Sequence, residues 1–533
     1  MKKKRRLLRY SLAGWCMLLL AGVMTLTGQA DFDDNGYADL AIGVEWEDDG
    51  PKPDTGAVNV LYGRSGGLSA LGDQLWDQAD LSADPNGTEN GDEFGTRLAI
   101  GDFNGDGYYD LAASAPGENL GSAANAGAVN VIYGKSPHGL NAADNEFWHQ
   151  GVPGVKGAVE PQDYFGRALA AGDFNGDGYD DLAIGVPYED IASTLNAGCV
   201  NVLYGTSSGL TTVNDQLWYE GVSGLAGAAE TADKFGYALA SGDFNRDGKD
   251  DLAISIPGED LGGVDNAGRV VVLYGTTSGL SSANSFAIVQ GLYGVLDSYE
   301  EDDWFGEALG TGDFNGDGYA DLAIGSPRED HGSASDVGAV NVLFGSASGL
   351  TSSGDQFWKE SGMAADNEFG FSLTAGDFNG DGNDELAVGI PYQDLGSEGN
   401  AGAVEVLYGA SGGLHRRVAN DFWHQGRSGI LDNDEAGDLF GVALAAGDFN
   451  NDSYVDLAIG VRNEDIAGKA DAGAVQILFG SSTGIRASGN QFWHQDVTGV
   501  IGGVEANDHF GSSLAAVVRK KTKIYIPFVN KNY

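Results

Sequence analysis

The sequence predicts an all-β protein assembled from one repeated four-stranded antiparallel unit. Three observations predict it. A nine-residue Asp/Asn/Gly loop occurs seven times, with starts 64 to 71 residues apart. The segments between the loops repeat the same short apolar strands, bounded by glycine. A Phe-Gly pair also recurs seven times, at Phe94, Phe165, Phe235, Phe305, Phe369, Phe440 and Phe510. A period of this size, held along a whole chain, is the signature of an array of supersecondary units.

The loop places oxygen side chains at positions 1, 3, 5 and 9 and glycine at position 6, where a sharp turn needs positive φ. Position 7 offers its backbone carbonyl. This is how a short loop wraps a hard cation, and many oxygen ligands on a flexible loop favour Ca²⁺ over Mg²⁺. The expected ligand sets, at positions 1, 3, 5, 7 and 9, are Asp31, Asp33, Asn35, Tyr37 and Asp39 in the first copy and Asp102, Asn104, Asp106, Tyr108 and Asp110 in the second. Asp173, Asn175, Asp177, Tyr179 and Asp181 form the third, and Asp243, Asn245, Asp247, Lys249 and Asp251 the fourth. Asp313, Asn315, Asp317, Tyr319 and Asp321 form the fifth. Asp377, Asn379, Asp381, Asn383 and Glu385 form the sixth, and Asp448, Asn450, Asp452, Tyr454 and Asp456 the seventh. Up to seven Ca²⁺ are expected, because grouped carboxylates repel one another unless a cation neutralises them. Copies two to five are expected to be the best sites. The seventh has Ser453 for glycine, the sixth ends in Glu385, and the first distributes its charge differently. An EF-hand is excluded. Its bidentate Glu at position 12 is replaced by Ile42, Ala113, Ile184, Ile254, Ile324, Val388 and Ile459.

Within the repeat that starts at Phe165, the pattern predicts strands at 165–171, 182–186 and 199–204, and a short fourth one carrying Gln216-Leu217-Trp218. Such strands joined by tight turns form a meander. In the second strand Leu182 and Ile184 share one face, with Ala183 and Gly185 on the other, as sheets stacked face to face require. Trp76, Trp148, Trp218, Trp358, Trp423 and Trp493 recur in the fourth strand and read as core aromatics. The fourth repeat has Phe286-Ala287 instead. Cys199 stands where other copies have alanine and reads as a small buried residue.

The Phe-Gly start, the Asp-x-Asn-x-Asp-Gly-x-x-Asp loop and the Gly-Ala-Val-x-Val-Leu-Tyr-Gly strand together resemble the FG-GAP repeat. That repeat builds the seven-bladed propeller of integrin α subunits and occurs in many bacterial secreted proteins. The resemblance covers essentially all of 31–516. It implies a seven-bladed β-propeller with calcium between the first two strands of a blade and recognition on the opposite face. The first calcium loop has no Phe-Gly strand before it, and Phe510-Gly511 has no calcium loop after it. Pairing of 510–516 with 40–44 would therefore close the ring and remove its exposed edges.

Three domains are expected: a signal peptide at 1–30, the propeller at 31–516 and a tail at 517–533. The first segment has a basic start, an uncharged stretch from Tyr10 to Ala30 and small residues at Gly28-Gln29-Ala30, the pattern of a secretory leader. Without cleavage that stretch would serve as a membrane anchor; with it, no transmembrane domain is expected. Removing its six basic residues takes the net charge from −49 to −55. So acidic a surface disfavours nucleic acid and anionic lipid, and no nucleic-acid partner is expected. Aromatics at 10% and hydrophobics at 42% exclude a disordered acidic tail.

The expected function is adhesion or extracellular recognition of a protein or glycan ligand, without catalysis, by a secreted or cell-surface protein. Recognition is expected on the face of the Pro-x-Glu-Asp loops and blade connections, where Glu160, Asp163, Glu230, Asp233, Glu300, Glu301, Asp302 and Asp303 make the surface acidic. Trp304 and Tyr293, in a blade that breaks the Trp pattern, are candidate contacts. A polysaccharide- or phosphodiester-cleaving enzyme and a purely structural envelope or matrix protein are the alternatives. No Gly-x-Ser-x-Gly or His-Glu-x-x-His motif is present.

Overall fold

The computed structural model describes residues 31–516, apart from 84–86, 136–138, 223, 226, 361, 363 and 418–420. The leader at 1–30 and the tail at 517–533 lie outside the described residues. The described chain forms seven four-stranded antiparallel sheets arranged as a seven-bladed β-propeller. Only a 3-10 turn at Gln78–Asp80 breaks the all-β pattern among the described residues.

The third blade represents the unit. Its strands are Ala168–Gly172, Asp181–Val186, Cys199–Tyr204 and Thr211–Trp218, hydrogen-bonded in sequence order. The fourth strand is thus longer than the sequence pattern suggested. The first begins later: Phe165-Gly166 forms a turn ahead of it, with Gly166 at φ 94°. Only in the strands Phe440–Gly447 and Phe510–Ala515 does Phe-Gly enter the ladder. The calcium-type loop joins the first strand to the second at one end of the blade. The Pro-x-Glu-Asp loop and the connection to the next blade emerge at the other end.

The core is divided among the blade interfaces. Seven apolar clusters occur, one between each pair of neighbouring blades. Leu182, Ile184 and Val186 bury against Phe103, Val129, Val131 and Trp148 of the preceding blade. On the other face Ala183 joins Val200, Val202, Leu252 and Ile254 of the next interface. The bulky face of one sheet therefore fills the shallow face of its neighbour, as the alternation predicted. Gly185 shows how close this approach is. A Cβ there would sit 2.1 Å from the carbonyl oxygen of Gly236 in the following blade. Cys199 is fully buried, in line with its reading as a core residue.

The aromatic of the fourth strand is core material throughout. Trp148, Trp218 and Trp423 are buried, and Trp76, Trp358 and Trp493 pack at interface edges. The break in the fourth repeat is one residue from where the sequence pattern put it. Val270 pairs with Ile288 as Val200 pairs with Trp218, so Ile288 is the Trp equivalent.

The ring closes as expected. Ala41 pairs with Ala515, Ile42 with Leu514, Gly43 with Ser513 and Val44 with Phe510. The first blade is therefore built from both ends of the ring, and Phe510 buries with Leu40, Ile42, Val475 and Ile477 at the seventh interface. A chain stopped before Phe510 would expose the edge of Leu40–Val44 and open that interface together. We expect such a truncation to aggregate or to melt without a cooperative transition; a circular-dichroism melt matching that of the full chain would contradict the closure.

Candidate functional site

The seven nine-residue loops lie on one face, each built round its first and last carboxylates. In the second loop Asp102 accepts from the backbone N–H of Asp106 at 3.1 Å and of Gly107 at 3.0 Å. Asn104 accepts from Asp106 N–H at 2.8 Å, and Asp106 from Tyr108 N–H at 3.0 Å. The ninth residue, Asp110, is fully buried and accepts from Phe103 N–H and Gly134 N–H, both at 2.9 Å. The same two bonds hold Asp39, Asp181, Asp251, Asp321 and Asp456. Burial, with the nearby charges of positions 1 and 5, pushes Asp110, Asp181 and Asp251 up to about 8 and Asp321 to about 7. These are groups that gain from a cation or a proton. The carboxylates of positions 1, 5 and 9 are neighbours in these loops, but among the described residues only the first loop, not copies two to five, brings three carboxylates within 4.8 Å of one another. With the side chain of position 3 they offer oxygen donors that could hold a hard divalent ion.

Glycine at position 6 has φ between 86° and 92° in six loops, and Ser453 takes φ 76° in the seventh, the strain expected there. Position 4 is also left-handed in every loop: Asp34, Arg246 and Asn451 adopt it without glycine's freedom. The sixth loop departs from the rest. Glu385 takes the backbone N–H of Asn379, whereas the side-chain bond from position 3 to position 9 that Asn379 also makes is shared with Asn175–Asp181 and Asn450–Asp456. In the fourth, Lys249 Nζ lies 3.2 Å from the Asp247 carboxylate. In the first, Arg64 pairs with Asp33 at 3.1 Å, while the carboxylates of Asp31, Asp33 and Asp39 converge to within 4.8 Å of one another.

Neighbouring loops are joined. The eighth residue donates its N–H to the carbonyl of the first residue of the preceding loop, as Asp180 does to Asp102 and Asp250 to Asp173, both at 3.0 Å. Ala38 reaches Asp448 in the same way at 3.1 Å, across the closure. Where position 8 is Asp180, Asp250 or Asp384, its carboxylate also accepts from the N–H of that first residue.

On the opposite face the acidic residues divide into two classes. Asp163, Asp233 and Asp303 are buried turn residues that accept from the N–H of Glu160, Glu230 and Glu300. Glu230, Glu300, Glu301 and Asp302 are exposed. A buried amide–carboxylate latch spans most blade interfaces and was not read from the sequence. Gln150 donates to Glu189 at 2.7 Å, Gln290 to Glu329 at 3.1 Å and Gln78 to Glu118 at 3.0 Å. Gln425–Glu464 and Gln495–Glu47 repeat it. Its signal is a Gln two residues after Trp76, Trp148, Trp423 and Trp493, and after Ile288 in the fourth repeat, facing the Glu of the next loop. Two interfaces are rewired. Asn367 bridges Glu360 and Gln393 at one. At the other Glu220 meets Glu259, and Arg269 pairs with both. Arg269 occupies a position held by alanine or cysteine in other blades, such as Ala128 and Cys199.

A second feature missed in the sequence is the residue before each Phe-Gly. Glu93, Tyr164, Lys234, Trp304, Glu368, Leu439 and His509 all have φ between 52° and 59°, a conformation that costs about 1 kcal/mol for a residue with a Cβ. These positions stand at the entry of the innermost strands, on the face opposite the calcium-type loops. Trp304, singled out in the sequence, is among them; Tyr293 is 76% exposed on a connection of the same face.

The FG-GAP repeat model matches this chain six times, at 94–132, 165–203, 235–273, 305–343, 369–407 and 440–478. Phosphatidylinositol-glycan-specific phospholipase D of Bos taurus is 33% identical over 187 residues, 35% of this chain and 22% of that protein. Integrin alpha-PS2 of Drosophila melanogaster is 32% identical over 240 residues, 43% of this chain and 15% of that protein. Human integrin alpha-8 is 32% identical over 238 residues, 44% of this chain and 19% of that protein. The chain thus spans about a fifth of the length of these relatives.

The rewired interface and the latches carry separate expectations. Arg269→Ala leaves Glu220 and Glu259 facing each other without a cation, and losing one partner of a buried ion pair costs about 3 kcal/mol. Adding Glu220→Gln should restore most of the loss, because it recreates the Gln–Glu pair of the other interfaces; denaturant melts of the single and double variants measure this. Burial pushes Glu189 up to about 7 and Glu329 and Glu464 to about 9. Unfolded Glu ionises near 4.3, so between that value and the folded ones the folded state binds more protons and stability falls as pH rises. Replacing the three with glutamine should flatten the loss of melting temperature between pH 5 and 9, measured at constant calcium.

Proposed function

We propose that this chain, an FG-GAP repeat protein whose propeller resembles that of integrin α subunits, is a calcium-loaded, non-catalytic recognition module of adhesion type. The observation that carries the reading is the sevenfold loop. Each copy places a buried carboxyl group beside further oxygen donors, and burial and mutual repulsion leave that carboxyl ready for a cation. When bound, Ca²⁺ would supply charge neutralisation and cross-link each hairpin. Asp102, Asn104, Asp106 and Asp110, with the Tyr108 carbonyl, would hold it in the second loop, and the equivalent residues in the others. Because position 7 would contribute only backbone, Tyr, Lys249 and Asn383 are interchangeable there.

Secretion or cell-surface display is part of the same proposal. The basic and then apolar segment 1–30 supports it, as does the likeness to integrin α chains. No helix among the described residues is long and apolar enough to cross a membrane. Recognition is assigned to the face opposite the calcium loops, where the longer connections lie. An extracellular protein or glycan is the proposed class of ligand.

A second reading is favoured by the likeness to proteins named phosphatidylinositol-glycan-specific phospholipase D. The chain would then act in phosphodiester cleavage. The aligned stretch is about a fifth of those proteins, so their activity is a weaker guide here than the repeat itself.

A site filled at ten times its Kd adds about 1.4 kcal/mol of stability. Several filled sites should therefore raise the melting temperature by many degrees in millimolar calcium, and EDTA should abolish the gain. An unchanged melt would remove calcium from the reading. Saturable, calcium-dependent binding to one member of a panel of glycans and matrix proteins is expected, with no turnover of a phosphatidylinositol-glycan substrate; turnover would favour the second reading.

A further inference from the structure

Three exposed apolar residues stand together on the connection between the fourth and fifth blades. Leu292 is 38% exposed, Tyr293 76% and Leu296 44%. At the position of Leu292, Val152, Val222 and Val497 of other connections pack against their interface clusters. Tyr293 takes φ 54°, a left-handed conformation that a residue with a Cβ adopts only at a cost. Its equivalents Pro153, Ser428 and Thr498 do not adopt it. The bend is fastened to the next blade. Ser352 Oγ donates to the Tyr293 carbonyl at 2.6 Å, Asp355 accepts from Leu296 N–H at 2.6 Å, and Asn341 Nδ2 donates to the Leu296 carbonyl at 3.0 Å. The apolar side chains are thus presented to solvent on a fixed backbone.

An exposed apolar patch with a polar rim marks a protein interaction site. Here the rim has one sign. Every charged side chain from Gly291 to Asp303 is acidic, and Asp297, Glu300, Glu301 and Asp302 are exposed. The occupant that fits combines basic and apolar side chains. This chain carries such a segment: residues 517–533 hold five basic residues and no acidic one, around the apolar run Ile524-Tyr525-Ile526-Pro527-Phe528-Val529. The closure strand decides which copy supplies it. Ala515 pairs with Ala41, two residues beyond the first calcium-type loop, so the chain leaves the first blade on the face of those loops. Tyr293 lies on the opposite face and across the ring. To reach its own connection the segment would have to pass round the rim, whereas the connection of a second copy needs no such path.

We propose that this connection is a docking site for residues 517–533 of a second copy of the chain. The apolar run seats against Leu292, Tyr293 and Leu296, and the basic residues face the acidic rim. The contact is heterologous: each copy gives its segment from one face and receives another on the opposite face, so copies join head to tail. Two rings of like charge repel each other, and the basic segment offsets that repulsion where it seats. This goes beyond the recognition reading above and does not depend on it.

The test is sedimentation of the full chain, leader removed, in calcium and physiological salt. Association that grows with concentration is expected. Tyr293→Ser should weaken it by about thirtyfold, the scale of a hot-spot truncation. Ile524→Ser combined with Phe528→Ser should do the same, and both variants should keep the parent's melting temperature. Mixing the two should give a one-to-one pair and nothing larger, because one retains the segment and the other the connection. Leu431→Ser, at the position of Leu296 in another connection and 48% exposed, should leave association unchanged. If Tyr293→Ser does not fold, titration of a 517–533 peptide into the Ile524→Ser, Phe528→Ser chain decides the matter: binding should be saturable and should weaken on adding Leu296→Ser. A chain that stays monomeric, association that survives both variants, equal loss in Leu431→Ser, a mixture that does not pair, or peptide binding unchanged by Leu296→Ser overturns the proposal. A glycan or matrix protein bound by a chain that stays monomeric would overturn it and leave the recognition reading standing.

Discussion

Each sheet of this protein is bulky on one face and nearly bare on the other, and neither face can be left to water. Leu182 and Ile184 need a shallow surface to fill; Ala183 and Gly185 need a bulky surface to cover them. A single blade satisfies neither requirement, and a row of blades leaves its two end faces unsatisfied. Closing the row into a ring satisfies every blade at once. The consequence, among the described residues, is seven modest cores, one at each blade interface, each adding burial of roughly 25 cal/mol per Å² of apolar surface removed from water. Everything else sits on the margins of those interfaces: the carboxylate loops at one rim and the amide–carboxylate latches at the other.

The latches show how tightly the margins are specified. Gln150 and Glu189 belong to adjacent blades, are both buried, and satisfy each other. When Glu220 replaces the glutamine at one interface, Arg269 appears in a strand position otherwise held by small residues. A buried carboxylate pair without that guanidinium would be costly. The polar groups at the interface edges thus come as matched sets, and the match crosses from one blade to the next.

Much of this architecture was legible in the chain because it repeats. The spacing of Asp31, Asp102 and their successors revealed the unit, and the unpaired halves at 31–44 and 510–516 revealed how the ring shuts. The alternation of Leu182 with Ala183 revealed the stacking. What repetition could not reveal is geometry that every copy shares while its residues vary. The position before Phe-Gly is Glu, Tyr, Lys, Trp, Leu or His, and no residue type announces a left-handed backbone there. The latch has no local signal: its partners are about 40 residues apart, or at opposite ends of the ring for Gln495 and Glu47, and meet only across an interface. An Asp that caps a turn, as Asp163, Asp233 and Asp303 do, and an Asp that faces solvent look alike in sequence. The fourth-blade register, with Ile288 in the tryptophan's place, needed the strand pairing itself.

The closure pair has a mechanical consequence. Ala41 faces Ala515 in antiparallel register, so the segments that flank the ring leave the first blade at the same end, on the side of the carboxylate loops. Tension drawn through both flanks together would meet the ladder one hydrogen bond at a time, peeling the strands apart like a zip. Tension between one flank and a ligand held on the far rim would instead run along the strands and load their bonds together in shear, the far stronger direction. The same seam is thus weak to one pull and firm to another, and the firm direction lies between the ring's flanks and the opposite rim.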